Sequence, residues 1–175
     1  IKNKQTFFFL ILLLSIGIGL QTIIYKIAFI ALLLQWLISA DYKQKALKVS
    51  QNNFGVGLIV FFCFYAISFL WSENQVVAIT DTILKLPLLI FPVVFLSQKS
   101  LSVKQLNRVF LFFALASVLI NLVCFIEAYL RFVNTHHTKE FYYSNLTINM
   151  HTAYQSMFTC FSSVIFVYLF VKEKF

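Results

Sequence analysis

The chain alternates long apolar runs with short polar breaks, and most runs are long enough to cross a bilayer. A hydrocarbon layer about 30 Å thick takes roughly 20 helical residues. From Phe7 to Ala40 the sequence is almost wholly apolar, too long for one span, and the polar interruption "GLQT" (Gly19 to Thr22) divides it into a hairpin of two short helices, 7–20 and 23–40. The third run is Phe54 to Trp71. The fourth, Ile83 to Leu96, is shorter and carries Pro87 and Pro92, so it is expected to begin earlier, near position 78, in an interfacial stretch containing "NQVVAITDT". Val109 to Leu130 is the fifth, and 148–171 the sixth. The pattern predicts an all-α fold, a polytopic bundle of about six transmembrane helices forming one transmembrane domain over 1–175. A secretory signal is the alternative for the first run, but there is no small-residue cleavage site and a second apolar run follows at once.

Composition agrees. Of 175 residues, 61% are hydrophobic and 11% charged, whereas soluble domains carry about 25% charged residues. The net charge of +8 would suit nucleic acid, but the basic residues sit in short patches between apolar runs, so no nucleic-acid partner is expected. With six spans and an inner N-terminus, Lys2, Lys4, Lys43, Lys45, Lys48, Lys99, Lys104, Arg108, Lys172 and Lys174 fall inside. Only Lys26, Lys85, Arg131 and Lys139 fall outside. Ten against four satisfies the positive-inside rule and predicts both termini cytoplasmic. The three cysteines, Cys63, Cys124 and Cys160, lie in apolar runs without metal-ligand spacing and read as small hydrophobes. Since the chain begins with isoleucine and ends in "VKEKF" just after an apolar run, it reads as a fragment of a longer polytopic protein.

Polar groups gather on the expected outer side: "WSENQ" (Trp71 to Gln75), the loop Arg131 to Asn149, and His151 with Tyr154. Ionisable groups at membrane depth are costly unless paired or wetted, which makes them candidates for function. Asp81 and Lys85, like Glu127 and Arg131, stand four apart with the acid first, so each pair reads either as a helix ion pair or as a substrate contact. Lys85 and Arg131 suit a diphosphate. Lys26 is expected to snorkel to the outer interface. His136 and His137 read as solvated loop residues, and Asn145-Leu146-Thr147 as a chance glycosylation sequon. His151 and Tyr154, three apart, share one helix face; they suit either an ordinary helix start or contact with a sugar hydroxyl or diphosphate. No nucleotide loop, serine-hydrolase elbow, zinc-protease motif or paired acidic motif is present, and no cofactor or metal is expected.

Three stretches together resemble the O-antigen ligase and polymerase superfamily of bacterial inner-membrane proteins, particularly its Bacteroidota-type members. They are "FLWSENQVVAITDTILKLPLLIFPVVF" (Phe69 to Phe95), "LSVKQLNRVFLFFALASVLINLVCFIEAYL" (Leu101 to Leu130) and "FYYSNLTINMHTAYQSMF" (Phe141 to Phe158). The last resembles a Phe-x-Tyr-Ser-x-Leu loop leading into His-Pro-Ser-Tyr, here His151-Thr152-Ala153-Tyr154 without the proline. The resemblance implies a metal-independent, inverting glycosyltransferase of the inner membrane. Such an enzyme moves a glycan from a polyprenyl diphosphate carrier to lipid A core, or to another carrier-linked glycan, at the periplasmic face. It also implies that this chain is the N-terminal half, lacking the large periplasmic loop whose arginine and histidine are central to transfer. Carried over onto this sequence, only Trp71 to Asn74, Lys85, and the pair His151 and Tyr154 match, as residues expected to line the cavity: Glu73 and Asn74 at its mouth, Lys85 on the diphosphate, His151 and Tyr154 orienting diphosphate or acceptor. Arg131 joins Lys85 on the diphosphate by its charge and outer position alone, not by the resemblance. His151 is the one candidate for chemistry within the chain. From other classes, a transporter or flippase component would predict broken helices at matching positions in two halves, and a non-catalytic scaffold would leave the outer polar groups unexplained.

Overall fold

The computed structural model describes residues 2–39, 41–98, 100–148 and 150–174. Position 40, the expected end of the second run, lies outside these, as do Lys99, counted among the inner basic residues, and position 149, the end of the outer loop. So do the side chains of Lys2, Lys4 and Lys174. The fold is 85% helical, with no strand among the described residues. Its helices are α1 (Lys2–Gly19), α2 (Ile24–Ile38), α3 (Tyr42–Ser50), α4 (Asn53–Ser68), α5 (Gln75–Lys85), α6 (Pro87–Phe91), α7 (Val103–Thr135) and α8 (Thr152–Lys174).

Among the described residues, four stretches are long and apolar enough to cross a membrane: Asn53–Trp71, Gln75–Leu96, Val103–Thr135 and Thr152–Lys172. The broken pair α2 and α3 makes a fifth if it is one span. The chain is thus an all-helical membrane protein. The first apolar run forms only a shorter helix, Gln5–Gly19. At α7 the helix exceeds its predicted span at both ends: 33 residues rise about 50 Å, well beyond the hydrocarbon layer. Helix α3 falls between the predicted elements. It is amphipathic, burying Lys45 and Val49 while Lys43 and Lys48 stay exposed. Many apolar side chains elsewhere stand exposed, as lipid-facing residues do, among them Phe54, Phe64, Leu70 and Val76.

Contacts divide the chain into two compact units, 1–32 with 101–175, and 33–100. The first is organised on α7. A capping box starts this helix, Ser102 Oγ accepting from the Gln105 N–H at 3.3 Å and Gln105 Oε1 from the Ser102 N–H at 3.0 Å. His136 ends it in the left-handed region, at φ 53°. Helix α1 packs along α7 and buries Phe7, Ile11, Leu14 and Ser15, one face at helical spacing. Gly19 allows the approach: a Cβ there would stand 2.7 Å from Ala116 Cβ and 2.8 Å from the Phe113 carbonyl oxygen. On α7's contact with α8, Phe113 meets Phe158 and Phe161 edge to face, each at 5.7 Å, around buried Ala114 and Ile165.

The second unit is built around an interrupted helix. Neither Pro87 nor Pro92 can donate a backbone hydrogen bond, so α5 gives way to the short α6 and then to a π-helical turn, Pro92–Leu96. Asn52 caps α4, its Oδ1 accepting from the Gly55 N–H at 2.8 Å. Gly55 lets α4 meet the π turn, since a Cβ there would lie 2.3 Å from Leu96 Cδ1. Trp36 Nε1 donates to Ser97 Oγ at 2.7 Å, tying the end of α2 to the end of that turn. Lys45 reaches back from α3 to donate to the Trp36 and Ser39 carbonyls, with its ammonium 4.6 Å from the Trp36 ring and 4.7 Å from the Tyr42 ring. Burial pushes this ammonium below its ordinary value, and Asp41 opposes the shift.

Candidate functional site

In the second unit the candidate residues gather between α4 and α5. The expected Asp81–Lys85 ion pair is replaced by a shared partner, Tyr65 of α4. Its hydroxyl donates to Asp81 Oδ2 at 3.2 Å, and the Lys85 ammonium stands 3.8 Å from its ring centre. Spacing along α5 put acid and base on one face, but the half-buried ring of Tyr65 across the helix pair offers each of them a contact with little side-chain entropy to lose. Besides this ring contact, Lys85 Nζ makes no hydrogen bond or ion pair among the described residues. Asn74 is occupied locally: it caps α5, its Oδ1 accepting from the Val77 N–H at 3.2 Å. Glu73 is exposed, with no hydrogen bond or ion pair among the described residues.

In the first unit the candidates lie where α7 ends and α8 begins. Arg131 does pair with Glu127, at 3.7 Å, as the spacing allowed. It also faces Glu140 of the following loop at 3.7 Å and donates to the Asn145 carbonyl. Glu140 is buried. One guanidinium thus serves two carboxylates and a carbonyl, and a diphosphate would have to displace carboxylates to reach it. The loop is held by Phe141, whose ring lies 5.6 Å from Phe125 and 5.5 Å from Phe132. His136 sits edge-on to Phe132, and His137 is exposed in the loop. His151 Nδ1 accepts from the Ala153 N–H at 3.3 Å at the start of α8. A neutral imidazole accepting at Nδ1 carries its proton on Nε2, and the residue is exposed. Tyr154 is exposed, and its hydroxyl makes no hydrogen bond among the described residues.

A polar network that the sequence reading missed lies one turn further into α8. Gln155 Nε2 donates to Asn121 Oδ1 at 2.8 Å and lies 3.4 Å from Cys124 Sγ. Asn121 Nδ2 donates to Thr159 Oγ1 at 2.9 Å, and Thr159 Oγ1 to the Gln155 carbonyl at 2.8 Å. Gln155 is 6% and Cys124 1% exposed, so the Gln155 amide is enclosed within an apolar helix–helix contact, while its partner Asn121 is half-buried and Thr159 exposed. The network borders a cavity of about 450 Å³ that Phe125, Leu146 and Thr147 help to line. A signal was available. Asn121 interrupts the run "SVLINLVCF", and Gln155 and Thr159 recur at helical spacing in α8, the arrangement expected of polar side chains that bond between membrane helices.

Several residues of the stretches that carried the family resemblance share a local role. Asn74, Ser102 with Gln105, and His151 each supply an acceptor to a backbone N–H at a helix start. Comparison with protein-family models, with curated proteins and with solved structures finds no match.

Proposed function

We propose that the chain is the membrane-embedded N-terminal part of an O-antigen ligase-like glycosyltransferase of the bacterial inner membrane. It has six spans and cytoplasmic termini, and works on a polyprenyl diphosphate-linked glycan with lipid A core, or a growing glycan, as acceptor. The observation that carries this reading is the α7–α8 cavity of about 450 Å³. Its walls are mostly apolar with amide and hydroxyl groups such as those of Asn121, Gln155 and Thr159 among them, and such a cavity suits an isoprenoid chain bearing a polar group. The ten-to-four basic asymmetry supports the orientation. In this reading Lys85 holds a diphosphate oxygen, with Arg131 joining once it releases a carboxylate. His151 and Tyr154 present a donor and a hydroxyl to the sugar or acceptor, Glu73 and Asn74 border the mouth, and bond cleavage relies on groups of the large periplasmic loop.

The interrupted helix at 85–96 favours a second reading, a transporter or flippase component. One experiment separates the two. The protein in nanodiscs is given a polyprenyl diphosphate-linked oligosaccharide bearing a photo-crosslinker. Crosslinking that maps to α7 and α8 and falls in Gln155→Leu supports the proposal. Equal crosslinking in that variant, or labelling confined to 85–96, overturns it.

A further inference from the structure

At the opposite end of the same helix pair, where α7 begins and α8 ends, lies a cavity of about 700 Å³. Arg108 and Lys172 border it, with Leu111, Phe166 and Phe170 as apolar walls. Arg108 is exposed and makes no hydrogen bond or ion pair among the described residues. Lys172 donates to the Tyr168 hydroxyl at 3.0 Å and makes no further hydrogen bond or ion pair among the described residues. Asn107 also lines the cavity, and its Oδ1 is buried with no donor among the described residues. An unpaired buried acceptor costs free energy, so Asn107 Oδ1 favours a ligand that carries a hydroxyl or N–H.

We infer that this cavity binds one anionic glycerophospholipid, its phosphate between Arg108 and Lys172 and a headgroup hydroxyl donating to Asn107 Oδ1. The charge is complementary, since no carboxylate lines the cavity among the described residues. The apolar walls suit the upper acyl chain, and the position at the ends of two membrane helices is the depth at which phosphates lie. Phosphatidylglycerol meets all three demands, because its glycerol hydroxyls are donors beside the phosphate. Such a lipid site needs only that α7 and α8 span a membrane, and it stands apart from the glycosyltransferase reading.

Native mass spectrometry of the full chain, released from mixed phosphatidylcholine and phosphatidylglycerol nanodiscs, tests it. One phosphatidylglycerol is expected to survive activation that strips phosphatidylcholine. Arg108→Gln with Lys172→Gln should weaken its retention about 30-fold, the effect of two interfacial basic side chains. Asn107→Leu should erase the preference for phosphatidylglycerol over phosphatidic acid, which lacks the hydroxyls. Arg108→Lys with Lys172→Arg keeps both charges and should keep the lipid, separating loss of binding from loss of fold. Equal retention of phosphatidylcholine and phosphatidylglycerol, or undiminished retention in the charge-neutral double variant, overturns the inference.

Discussion

The Lys85 ammonium stands 3.8 Å from the centre of the Tyr65 ring, while the hydroxyl of that same tyrosine holds Asp81. One residue of α4 therefore fixes both charges of α5. Tyr65→Phe keeps the ring and removes the donor, and should lower stability by about 1 kcal/mol. Tyr65→Leu removes both and should cost about 2 kcal/mol. Thermal unfolding in detergent followed by circular dichroism gives the two values; equal losses would mean that the ring contact contributes nothing.

In the contact between buried Gln155 and half-buried Asn121, Gln155→Leu leaves Asn121 Oδ1 without its donor and should cost about 1 kcal/mol. Adding Asn121→Leu should cost less than the sum of the two single changes, because the second removes the group the first left unpaired. A double-mutant cycle on thermal unfolding measures the coupling.

At the start of α8, His151→Ala should lose about 1 kcal/mol with the cap, whereas His151→Asn keeps an acceptor and should lose little. Under the glycosyltransferase proposal, glycan transfer distinguishes cap from chemistry: if His151→Asn folds normally but fails in transfer, the imidazole takes part beyond its cap. Full activity would reduce His151 to a cap.

Lys45 makes a pH prediction. Its folded value lies below the unfolded 10.5, so between the two values the unfolded chain binds more protons and stability rises with pH. The stability difference between the natural protein and Lys45→Met should therefore move in favour of the natural protein as pH rises toward 10.5. Lys45→Met should itself destabilise at neutral pH by about 1–3 kcal/mol, because it strands the Trp36 and Ser39 carbonyls. Chemical unfolding across an alkaline pH series reads both.

Gly19 marks the closest approach of α1 to α7. The Cβ introduced by Gly19→Ala meets a backbone carbonyl, which cannot swing aside as a side chain end would. Parting of the helices should cost about 1–3 kcal/mol. Loss of thermal stability is the readout, with Gly57→Ala, where a Cβ meets open space, as the control.

Much of the helical order was legible before the structure. The "GLQT" break became the turn between α1 and α2, with Gln21 at φ 56°. The third run became Asn53–Trp71, and the proline-bearing run lengthened upstream to Gln75, as its polar lead suggested. Helix α3 was not legible, because its short apolar stripe is diluted by three lysines, one of them buried. The Gln155–Asn121 contact was hidden too: the two residues lie 34 positions apart, and hydropathy marks each as a lone polar residue in a greasy run.

Hydropathy and turn chemistry were enough to establish a helical membrane protein, and roughly where most of its helices run. In lipid each segment must satisfy its own backbone hydrogen bonds, so these local signals suffice. The choice of partners emerges only once the helices pack. The spacing of Asp81 and Lys85 was right for an ion pair, yet a tyrosine on α4 took both. Arg131 kept its helical partner Glu127 and gained a second carboxylate, Glu140, from the loop. Side-chain bonds depend on which faces meet across helices, and close approach at points such as Gly19 and Gly55 sets those faces.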